Sequence, residues 1–281
     1  MVSTRFGDHL FAFSIWLIPL AITCIFLWII GDIVWHGWSQ LNWQFLTQMP
    51  MDSGRDGGIA PILVSTIYIL LICMGVSLPL SIGTALLLSE CCEATSRFGR
   101  LVRRSLDILA GVPSIVFGLF GNALFVKVLG LGFSILSGGL TLACMVLPLL
   151  IRATESGLRS VPKSYSLSSA ALGISKTKTL WHLVLPAAIP GLVVGFTLGL
   201  GRAIAETAAL IFTSGYVDRM PHSWLDSGRS LSIHIYDLAM NISNGNANAY
   251  GTATILIVLL LAINASTSWL GQYWMRRHLK F

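Results

Sequence analysis

One stretch of the chain places a basic and an acidic side chain inside an apolar run. Arg202 and Glu206, in the sequence Gly201-Arg-Ala-Ile-Ala-Glu-Thr207, are the only charged residues between about residue 183 and residue 217. An arginine at the centre of a bilayer costs roughly 2.5–3.5 kcal/mol on insertion scales, so it is expected to face water or a protein interior and to have a partner. At a spacing of four residues the two side chains would share one helix face and could pair.

Two interpretations of this pair are open. In the first, the ion pair only holds helices together. In the second, the guanidinium of Arg202 offers bidentate hydrogen bonds to an oxyanion near the middle of the membrane, and Glu206 holds the guanidinium in place or occupies it when the anion is absent. The second interpretation predicts that Arg202 lines a route for an anion.

A second informative segment runs from residue 152 to residue 186. Ser160-Val-Pro162 is typical of a helix start, Gly173 of a helix stop, and Ser175 can cap a second helix. Two short helices around a glycine form a surface that could dock into a groove on another protein. A DNA-binding helix-turn-helix is disfavoured because the unit is tethered between two apolar runs, and a linker on the membrane surface is the remaining alternative.

Motifs of catalysis and of cofactor binding are absent from the sequence. There is no HExxH, no CxxC pair and no GxxxxGK[ST], and the nearest relative of the last, Gly173-Ile-Ser-Lys-Thr-Lys-Thr179, lacks the second glycine that the phosphate cradle needs. The six histidines are scattered without the spacing of metal ligands, and the five cysteines suggest no disulfide framework. We therefore expect no enzyme activity and no cofactor in this chain, which leaves transport or a structural membrane scaffold.

The composition indicates which elements position these residues. Of 281 residues, 54% are hydrophobic and 11% are charged, against roughly 25% charged in soluble domains, so a disordered, fibrous or ordinary soluble chain is excluded. A membrane-spanning helix needs about 20 apolar residues, and six runs qualify. These predicted spans are Leu10–Gly31, Gly57–Ser89 with a kink or extension at Pro79, Ile108–Val126, Val128–Ile151, about Leu183–Val217, and Gly251–Met275.

The first run could instead be a signal peptide. Its apolar stretch is longer than the roughly 7–15 residues of a typical signal h-region, and no A-x-A cleavage site follows it. A membrane span is the preferred interpretation.

The basic residues predict the orientation. Thirteen of the 18 Lys and Arg residues fall in segments on one side of the predicted spans, which the positive-inside rule assigns to the cytoplasm. Both termini are then cytoplasmic, and the outer loops lie near residues 32–56, 127–132 and 218–250. The formal charge of +6 is therefore attributed to topology and not to nucleic-acid binding.

Part of the sequence resembles the inner-membrane permeases of ABC importers. Their cytoplasmic signature reads E-A-A, three residues, G, nine residues, I-x-L-P. Gly173 is followed after nine residues by Leu183-Val-Leu185-Pro186, which matches the second half with one conservative change. In the first half the sequence departs from the signature, because Leu167, Ser168 and Ser169 stand where it has Glu-Ala-Ala.

Three further stretches resemble the phosphate-uptake permeases of that family. Residues 111–120 resemble its G-V-P-S-I-V-[YF]-G-L-F segment, and residues 146–162 its L-P-x-x-I-R-x-T-E-x-x-L-x-x-V-P run. Residues 201–208 resemble its G-R-A-I-G-E-T-A core, with Ala205 where glycine is usual. The Glu-Thr-Ala ending and residues 231–236 are more similar to the A subunit than to its sister C subunit.

The resemblance implies a fold, a function and partners. The fold would be that of an all-α integral membrane protein with six transmembrane helices and the MetI-like fold of type I ABC importers, with an N-terminal helix and outer loop in 1–56 and a permease domain in 57–281. The function would be ATP-driven import of inorganic phosphate across the bacterial inner membrane by alternating access. The partners would be a C subunit as heterodimer, two ATPase subunits that bind ATP and Mg²⁺, an extracytoplasmic phosphate-binding protein and membrane lipid, without nucleic acid.

The resemblance also assigns roles to residues. Segment 152–186 would be the coupling loop that carries closure of the ATPases to the spans. The residues assigned to the phosphate route are Arg202, Glu206, Thr207 and Arg152, and those assigned to the coupling loop are Ser168, Ser169, Gly173, Leu183, Leu185 and Pro186.

Alternatives remain within and outside this interpretation. The substrate could be phosphonate or another oxyanion. An ion-coupled secondary transporter with Glu206 as proton relay would work without an ATPase and fail without a proton gradient. A structural scaffold would show no dependence on a substrate.

Overall fold

The structure is a computed structural model. It describes residues 3–92 and 96–278, and the side chains of residues 11, 13–90, 92 and 96–273. The regular secondary structure of the described chain is helical apart from a small two-stranded antiparallel ribbon, Pro50–Met51 with Asp56–Gly57. The α-helices are α1 (Ser3–Gly37), α2 (Trp43–Thr47), α3 (Ala60–Leu86), α4 (Arg97–Ala110), α5 (Ser114–Gly121), α6 (Ile135–Arg159), α7 (Ser164–Ala171), α8 (Lys176–Thr179), α9 (Leu185–Ile204), α10 (Ala208–Ile211), α11 (Leu231–Met240) and α12 (Asn246–His278).

Three π-helical turns extend these helices. They are Leu87–Cys91 after α3, Asn122–Val128 after α5, and Leu180–Val184, which joins α8 to α9. The described part of the chain therefore has five helices that are long and apolar enough to cross a membrane, in α1, α3, α6, the continuous α8–α9 and α12. A sixth span results if α4 and α5 are counted as one broken span.

Helix α6 lies at the centre of the bundle. It packs between α3 and α9, and its buried side chains, among them Leu142, Val146 and Leu150, join the largest core cluster with residues of α3, α9 and α11. Helix α1 lies at the periphery and contacts α12 near its own C-terminal end, where the hydroxyl of Thr254 donates to the carbonyl of Ile33. The core thus fixes α6 and α9, which carry Arg152 and Arg202.

The third predicted span is wrong in its geometry. Residues Ile108 to Ala110 belong to α4, and the chain turns by 101° between α4 and α5. Pro113 lies at the turn, just before the first residue of α5. Because proline has no backbone N–H and disfavours the helical conformation of the residue before it, a helix cannot run straight through this point.

The fourth predicted span begins too early. Residues 128–134 are apolar, but Gly130 and Gly132 have φ of +66° and +64°, so the backbone leaves the helical region and α6 begins only at Ile135. Ser134 caps this helix, and its hydroxyl accepts from the N–H of Ser137. The helix then continues to Arg159, eight residues beyond the predicted end.

The fifth predicted run divides into a long helix and a return segment. Helix α9 ends at Ile204, and residues after it form the short α10 and a loop whose backbone pairs with the start of α6, as in Ser134 N–H to Thr213 O at 3.1 Å. The predicted outer loop 218–250 contains α11, whose Leu231 and Ile233 are fully buried. This segment is therefore part of the packed bundle and not only a surface loop.

Helices α6 and α9 approach closely through glycines. A Cβ built on Gly191 would overlap the Cα of Gly157, and one on Gly195 would lie 2.7 Å from the Cβ of Ala153. A Cβ on Gly199 would lie 2.8 Å from a methyl group of Leu150. Small residues at such a crossing allow backbones to pack directly, which stabilises helix pairs in membranes.

Replacing Gly191 with Ala is expected to separate α6 from α9 and to destabilise the protein by about 1–3 kcal/mol, the usual cost of overpacking. Thermal unfolding in detergent measures the effect. Gly201→Ala in the same helix is the matched control, because a Cβ there meets no atom within 4 Å and should be neutral or slightly stabilising. Equal melting temperatures for the two variants would contradict the packing argument.

Candidate functional site

Arg202 lies in the last turn of α9, at the level of about the middle of α6. The glycine contacts pair residue 199 with 150, 195 with 153 and 191 with 157, so antiparallel continuation places Arg202 level with about residue 147, the midpoint of Ile135–Arg159. Its side chain is exposed and continues an exposed row at four-residue spacing with Val194 and Leu198. No described residue forms an ion pair or hydrogen bond with its guanidinium.

The predicted pairing of Arg202 with Glu206 is wrong. Helix α9 ends at Ile204, so the two residues do not share a helix face. The Glu206 carboxylate instead accepts from the N–H of Ala209 at 3.4 Å, at the start of α10. The Glu206 carbonyl accepts from the hydroxyl of Ser232 at 2.6 Å, and this contact with α11 holds the chain in its turn.

Thr207 follows directly and is half-buried. Its carbonyl accepts from the N–H of Ile211 at 3.1 Å, and among the described residues its hydroxyl has no hydrogen-bond partner. Arg202, Glu206 and Thr207 thus stand at one break in the helix, with a guanidinium and a hydroxyl free to bind a ligand.

Arg152 belongs to a different cluster, nearer the other end of α6. Its Nε donates to Asp107 at 3.1 Å, and its Nη1 lies 3.5 Å from Glu155. Glu155 is 5% exposed and also accepts from Arg103 at 2.8 Å and from Arg159 at 3.0 Å. Three guanidinium groups therefore surround one buried carboxylate, and the structure does not bring this cluster together with Arg202.

An open cleft of about 360 Å³ exposes this cluster, lined by Arg103, Arg152, Glu155, Ser156 and Arg159. With three arginines against the carboxylates of Glu155 and Asp107, the group has a formal charge of +1. The spacing Arg152, Glu155, Arg159 on one helix face was available in the sequence as a signal. The contribution of Arg103, which is 52 residues from Glu155, could not be predicted from the sequence.

The predicted coupling segment, residues 152–186, has the expected helix start, stop and cap. Helix α7 begins two residues after Pro162, Gly173 has a φ of +70° after the end of α7, and the Ser175 hydroxyl accepts from the N–H of Lys178. Gly173 is therefore required by conformation, since a left-handed backbone disfavours other residues. The irregular part is shorter than the predicted 152–186, because residues up to Arg159 belong to α6.

The second predicted helix of this segment is not a separate short helix. It runs through the π-helical turn Leu180–Val184 into α9 without a break. This π-helical turn lies directly before Leu185 and Pro186. Because proline has no backbone N–H, one carbonyl group of the turn lacks its usual helical hydrogen bond. Leu183 and Leu185 are half-buried in this joint.

The tip of the coupling segment, residues 167–173, is exposed except at Ser169. Ser168 is exposed, whereas Ser169 is buried and its hydroxyl donates to the carbonyl of Tyr165 at 2.8 Å. Leu167 and Leu172 are 70% and 77% exposed, at the two sides of the tip. Apolar side chains with this exposure are available to a partner protein.

Two cationic side chains bind carbonyl groups at the end of α3. The Lys176 Nζ donates to the carbonyl of Glu90 at 3.1 Å, and the Arg103 Nη2 donates to the carbonyl of Leu88 at 2.9 Å. Both carbonyls belong to the π-helical turn Leu87–Cys91. Basic side chains at this position satisfy carbonyls that the helix leaves free, and Lys176 thereby ties the coupling segment to α3.

A buried polar group in the 205–245 segment was not anticipated from the sequence. Arg229 and Asp237 form an ion pair at 3.1 Å, and the Arg229 Nη1 lies 3.3 Å from the Nδ1 of His234. His234 is 1% exposed, and its Nε2 has no partner among the described residues. Burial, with the charge of Arg229, lowers the pKa of His234 to about 3.

Lowering the pH from about 7.5 to about 5 is expected to destabilise the fold by about 2 kcal/mol through His234. In the unfolded chain histidine has a pKa of about 6.5, so below that pH the unfolded state binds a proton that the folded state excludes. Stability from this group is therefore complete above about pH 6.5 and decreases toward pH 3. Thermal unfolding at the two pH values tests this, and His234→Gln, which can still accept from Arg229, should flatten the pH dependence.

The fold and the sites define a class of protein. Residues 77–279 match the family described as "Binding-protein-dependent transport system inner membrane component". This chain belongs to that family, and it is a transport component rather than an enzyme.

Relatives within the family narrow the assignment. A probable ABC transporter permease protein, YqgI of Bacillus subtilis, is 32% identical over 265 residues, which cover 89% of this chain and 90% of YqgI. The phosphate transport system permease protein PstA 1 of Mycobacterium tuberculosis is 31% identical over 263 residues, which cover 92% of this chain and 83% of the relative. The resemblance to phosphate permeases of the A-subunit type is thereby confirmed.

Solved structures share the fold. A chain of the MetNI methionine ABC transporter in an inward-facing conformation superposes with a TM-score of 0.59 at 17% identity, over 77% of this chain and 94% of that chain. A chain of a bacterial ABC transporter that imports alginate gives a TM-score of 0.60 at 12% identity, over 92% and 96% of the two chains. The predicted helical membrane fold of the MetI-like type is confirmed.

Proposed function

We propose that this chain is one membrane subunit of an ATP-driven importer of inorganic phosphate in the bacterial inner membrane. Similarity to the PstA proteins supports the substrate, and the family description supports delivery by an extracytoplasmic binding protein. A homologous C subunit would complete the heterodimer, and two ATPase subunits would bind ATP and Mg²⁺. Both termini and segment 160–175 would lie in the cytoplasm, where the positive-inside rule places basic loops.

The position of Arg202 is the observation that carries this proposal. Its guanidinium is exposed on a row that otherwise carries Val194 and Leu198, level with the middle of α6, and no described residue pairs with it. A charge at this depth is too costly to face lipid, so this face would lie against the partner subunit or water, and we place the anion route there. A free guanidinium there offers the bidentate donors that phosphate oxygens accept.

The residues around Arg202 have separate parts in this mechanism. The hydroxyl of Thr207, just after the end of α9, would supply a second, neutral donor to the anion. The carboxylate of Glu206, held by the N–H of Ala209, keeps a negative charge close by and limits how tightly an anion is held. A transport site needs such a balance, because an anion that binds too tightly is not released.

The Arg152 cluster would form a second electropositive region on the cytoplasmic side of Arg202. Its guanidinium groups already bind Glu155 and Asp107, so its attraction for phosphate is weaker than that of an unpaired arginine. A weaker site on the exit side favours release into the cytoplasm. Alternating access would then expose Arg202 to one side and afterwards to the other as the two membrane subunits rock.

The exposed tip of the coupling segment would receive the movement of the ATPases. Leu167 and Leu172 would enter a groove of the ATPase, and Gly173 sets the angle between α7 and α8. Movement reaches α9 directly, because α8 is continuous with it, and reaches α3 through the bond from Lys176 to the Glu90 carbonyl. Lys176 is thus a positioning residue of the coupling step.

Lys176→Met is expected to lower the phosphate transported per ATP hydrolysed by about threefold to tenfold, because an exposed hydrogen bond to a neutral carbonyl contributes about 0.5–1.5 kcal/mol. The ATPase rate should persist, since the tip of the segment is unchanged. Lys178→Met is the matched control: Lys178 is exposed on the same helix, and among the described residues its ammonium group has no partner. An equal ratio of transport to hydrolysis in both variants would contradict this role.

Reconstitution of the assembled transporter tests the proposed function. The chain, its permease partner, the ATPase and the binding protein are placed in liposomes, and uptake of labelled phosphate is measured with and without ATP. We expect uptake that requires ATP and the binding protein. Uptake that needs no ATPase and fails without a proton gradient would support a secondary transporter, and preference for phosphonate over phosphate would change the substrate.

A further inference from the structure

Helix α4 has an exposed surface that the transport route does not explain. It is a helix of 14 residues that begins at Arg97 with Ser96 as its cap. Only its back is covered: Leu106 is buried and Val102 packs beside it, against Leu88 in the turn after α3 and Ile151 of α6. The rest of the helix faces away from the bundle.

The exposed side of α4 carries two adjoining arcs of different character. At about 100° per residue, Arg97, Arg100 and Arg104 lie within an arc of about 60°. Apolar side chains occupy the neighbouring arc of about 100°. These are Phe98, Leu101, Ile108 and Leu109, with exposures of 57%, 64%, 72% and 43%.

The three arginines are available to a ligand. All three are exposed, and within residues 3–92 and 96–278 they have no ion-pair partner. Arg103 and Asp107, on the same helix, are engaged with Glu155 and Arg152. The free charge of α4 is therefore concentrated on one flank, beside the apolar flank.

The length and the angle of α4 exclude a span and fit an interfacial helix. Fourteen residues extend about 21 Å, short of the roughly 30 Å of a bilayer core. Helix α4 turns by 101° from α5, so if α5 follows the direction of the spans, α4 lies close to the membrane plane. Its contacts with Ile151, Arg152 and Glu155 place it near the basic end of α6, where the headgroups of one leaflet would lie.

We propose that α4 binds anionic phospholipid headgroups at the cytoplasmic leaflet, with the apolar arc in the acyl region and Arg97, Arg100 and Arg104 on the phosphates. A basic flank beside an apolar flank is the pattern by which helices lie in the interface of anionic membranes. The cytoplasmic leaflet supplies the complementary charge. The alternative occupants, an acidic partner surface or free phosphate, would not require the apolar arc.

The test is retention of lipid by the full chain. The protein is extracted from nanodiscs that contain phosphatidylcholine with about one third phosphatidylglycerol, and bound lipids are counted by native mass spectrometry. We expect selective retention of phosphatidylglycerol and a loss of up to about 30-fold in R97Q/R104Q, because each basic residue at an anionic leaflet contributes about a fivefold factor. R97K/R104K, which keeps the charge, should retain the lipid and so excludes a folding defect.

A matched control removes two other basic residues of the same end of the protein. Lys163 and Lys178 are exposed, and K163Q/K178Q should retain phosphatidylglycerol like the original chain. Equal retention by R97Q/R104Q and the original chain would overturn the proposal. So would displacement of the lipid by inorganic phosphate, which would identify a substrate site, or by the ATPase subunits, which would identify a protein interface.

Discussion

Replacement of Arg202 with Gln is expected to reduce phosphate uptake by at least about 100-fold while the chain still inserts and assembles. The guanidinium provides two charge-assisted hydrogen bonds to the anion, and each contributes about 1.5–3 kcal/mol. Glutamine keeps a polar side chain, which is shorter, and loses the charge. Since no described residue depends on the Arg202 side chain, the stability of the fold should change little. Initial rates of ATP-driven uptake in liposomes measure the effect.

Two further variants separate a role in the route from a general effect of charge. Arg202→Lys keeps the charge without the bidentate geometry and should retain a fraction of the uptake. Arg219→Gln removes an exposed arginine from the segment after α10 and should leave uptake unchanged. Normal phosphate uptake by a properly inserted Arg202→Gln protein would contradict the proposed anion route.

Replacement of Glu155 with Gln is expected to destabilise the protein by about 3–5 kcal/mol. The carboxylate is 5% exposed and holds Arg103 at 2.8 Å, Arg159 at 3.0 Å and Arg152 at 3.5 Å. Its neutral isostere would leave three guanidinium groups without their common counter-charge, and removing one partner of a buried ionic group costs about this amount. Thermal unfolding in detergent should show a decrease of at least about 6 °C.

Asp107 is the matched control for this cluster. Its side chain is 63% exposed and, among the described residues, forms an ion pair with Arg152 only, so Asp107→Asn should cost less than about 1 kcal/mol. A stability loss as large as that of Glu155→Gln would mean that exposure does not decide the contribution of these carboxylates. Glu155→Gln with an unchanged melting temperature would show that the arginines find other partners.

The class of the protein and much of its local structure follow from the sequence. Long apolar runs can be stable only in a membrane, so hydropathy alone predicts α3 and α12 to within several residues at each end and α6 with its ends displaced by about two helical turns. Helix signals in the coupling segment are local as well. Pro162 favours a helix start, Gly173 adopts a left-handed conformation, and Ser175 caps the next helix through its own hydroxyl, so each acts through atoms a few residues away.

Boundaries were less predictable where apolar composition and backbone conformation disagree. The apolar composition of residues 128–134 predicts the start of a span, but two glycines with positive φ interrupt the helix. At Pro113 a run of apolar residues turns by 101°. Hydropathy measures transfer to lipid and contains no information on the direction of the backbone.

The site shows most clearly what the sequence determined and what the tertiary structure decided. The sequence determined that Arg202 is a charge within a membrane span, because its neighbours are apolar and its side chain cannot be neutral. Nothing in Ala-Ile-Ala-Glu-Thr is a strong helix breaker, and a continuous helix with an Arg202–Glu206 pair was the reasonable local expectation. The break arises where the Ser232 hydroxyl binds the Glu206 carbonyl, 26 residues away. Likewise Glu155 is bound by Arg103 from 52 residues away. Such contacts depend on which helices pack together, and only the folded bundle sets that.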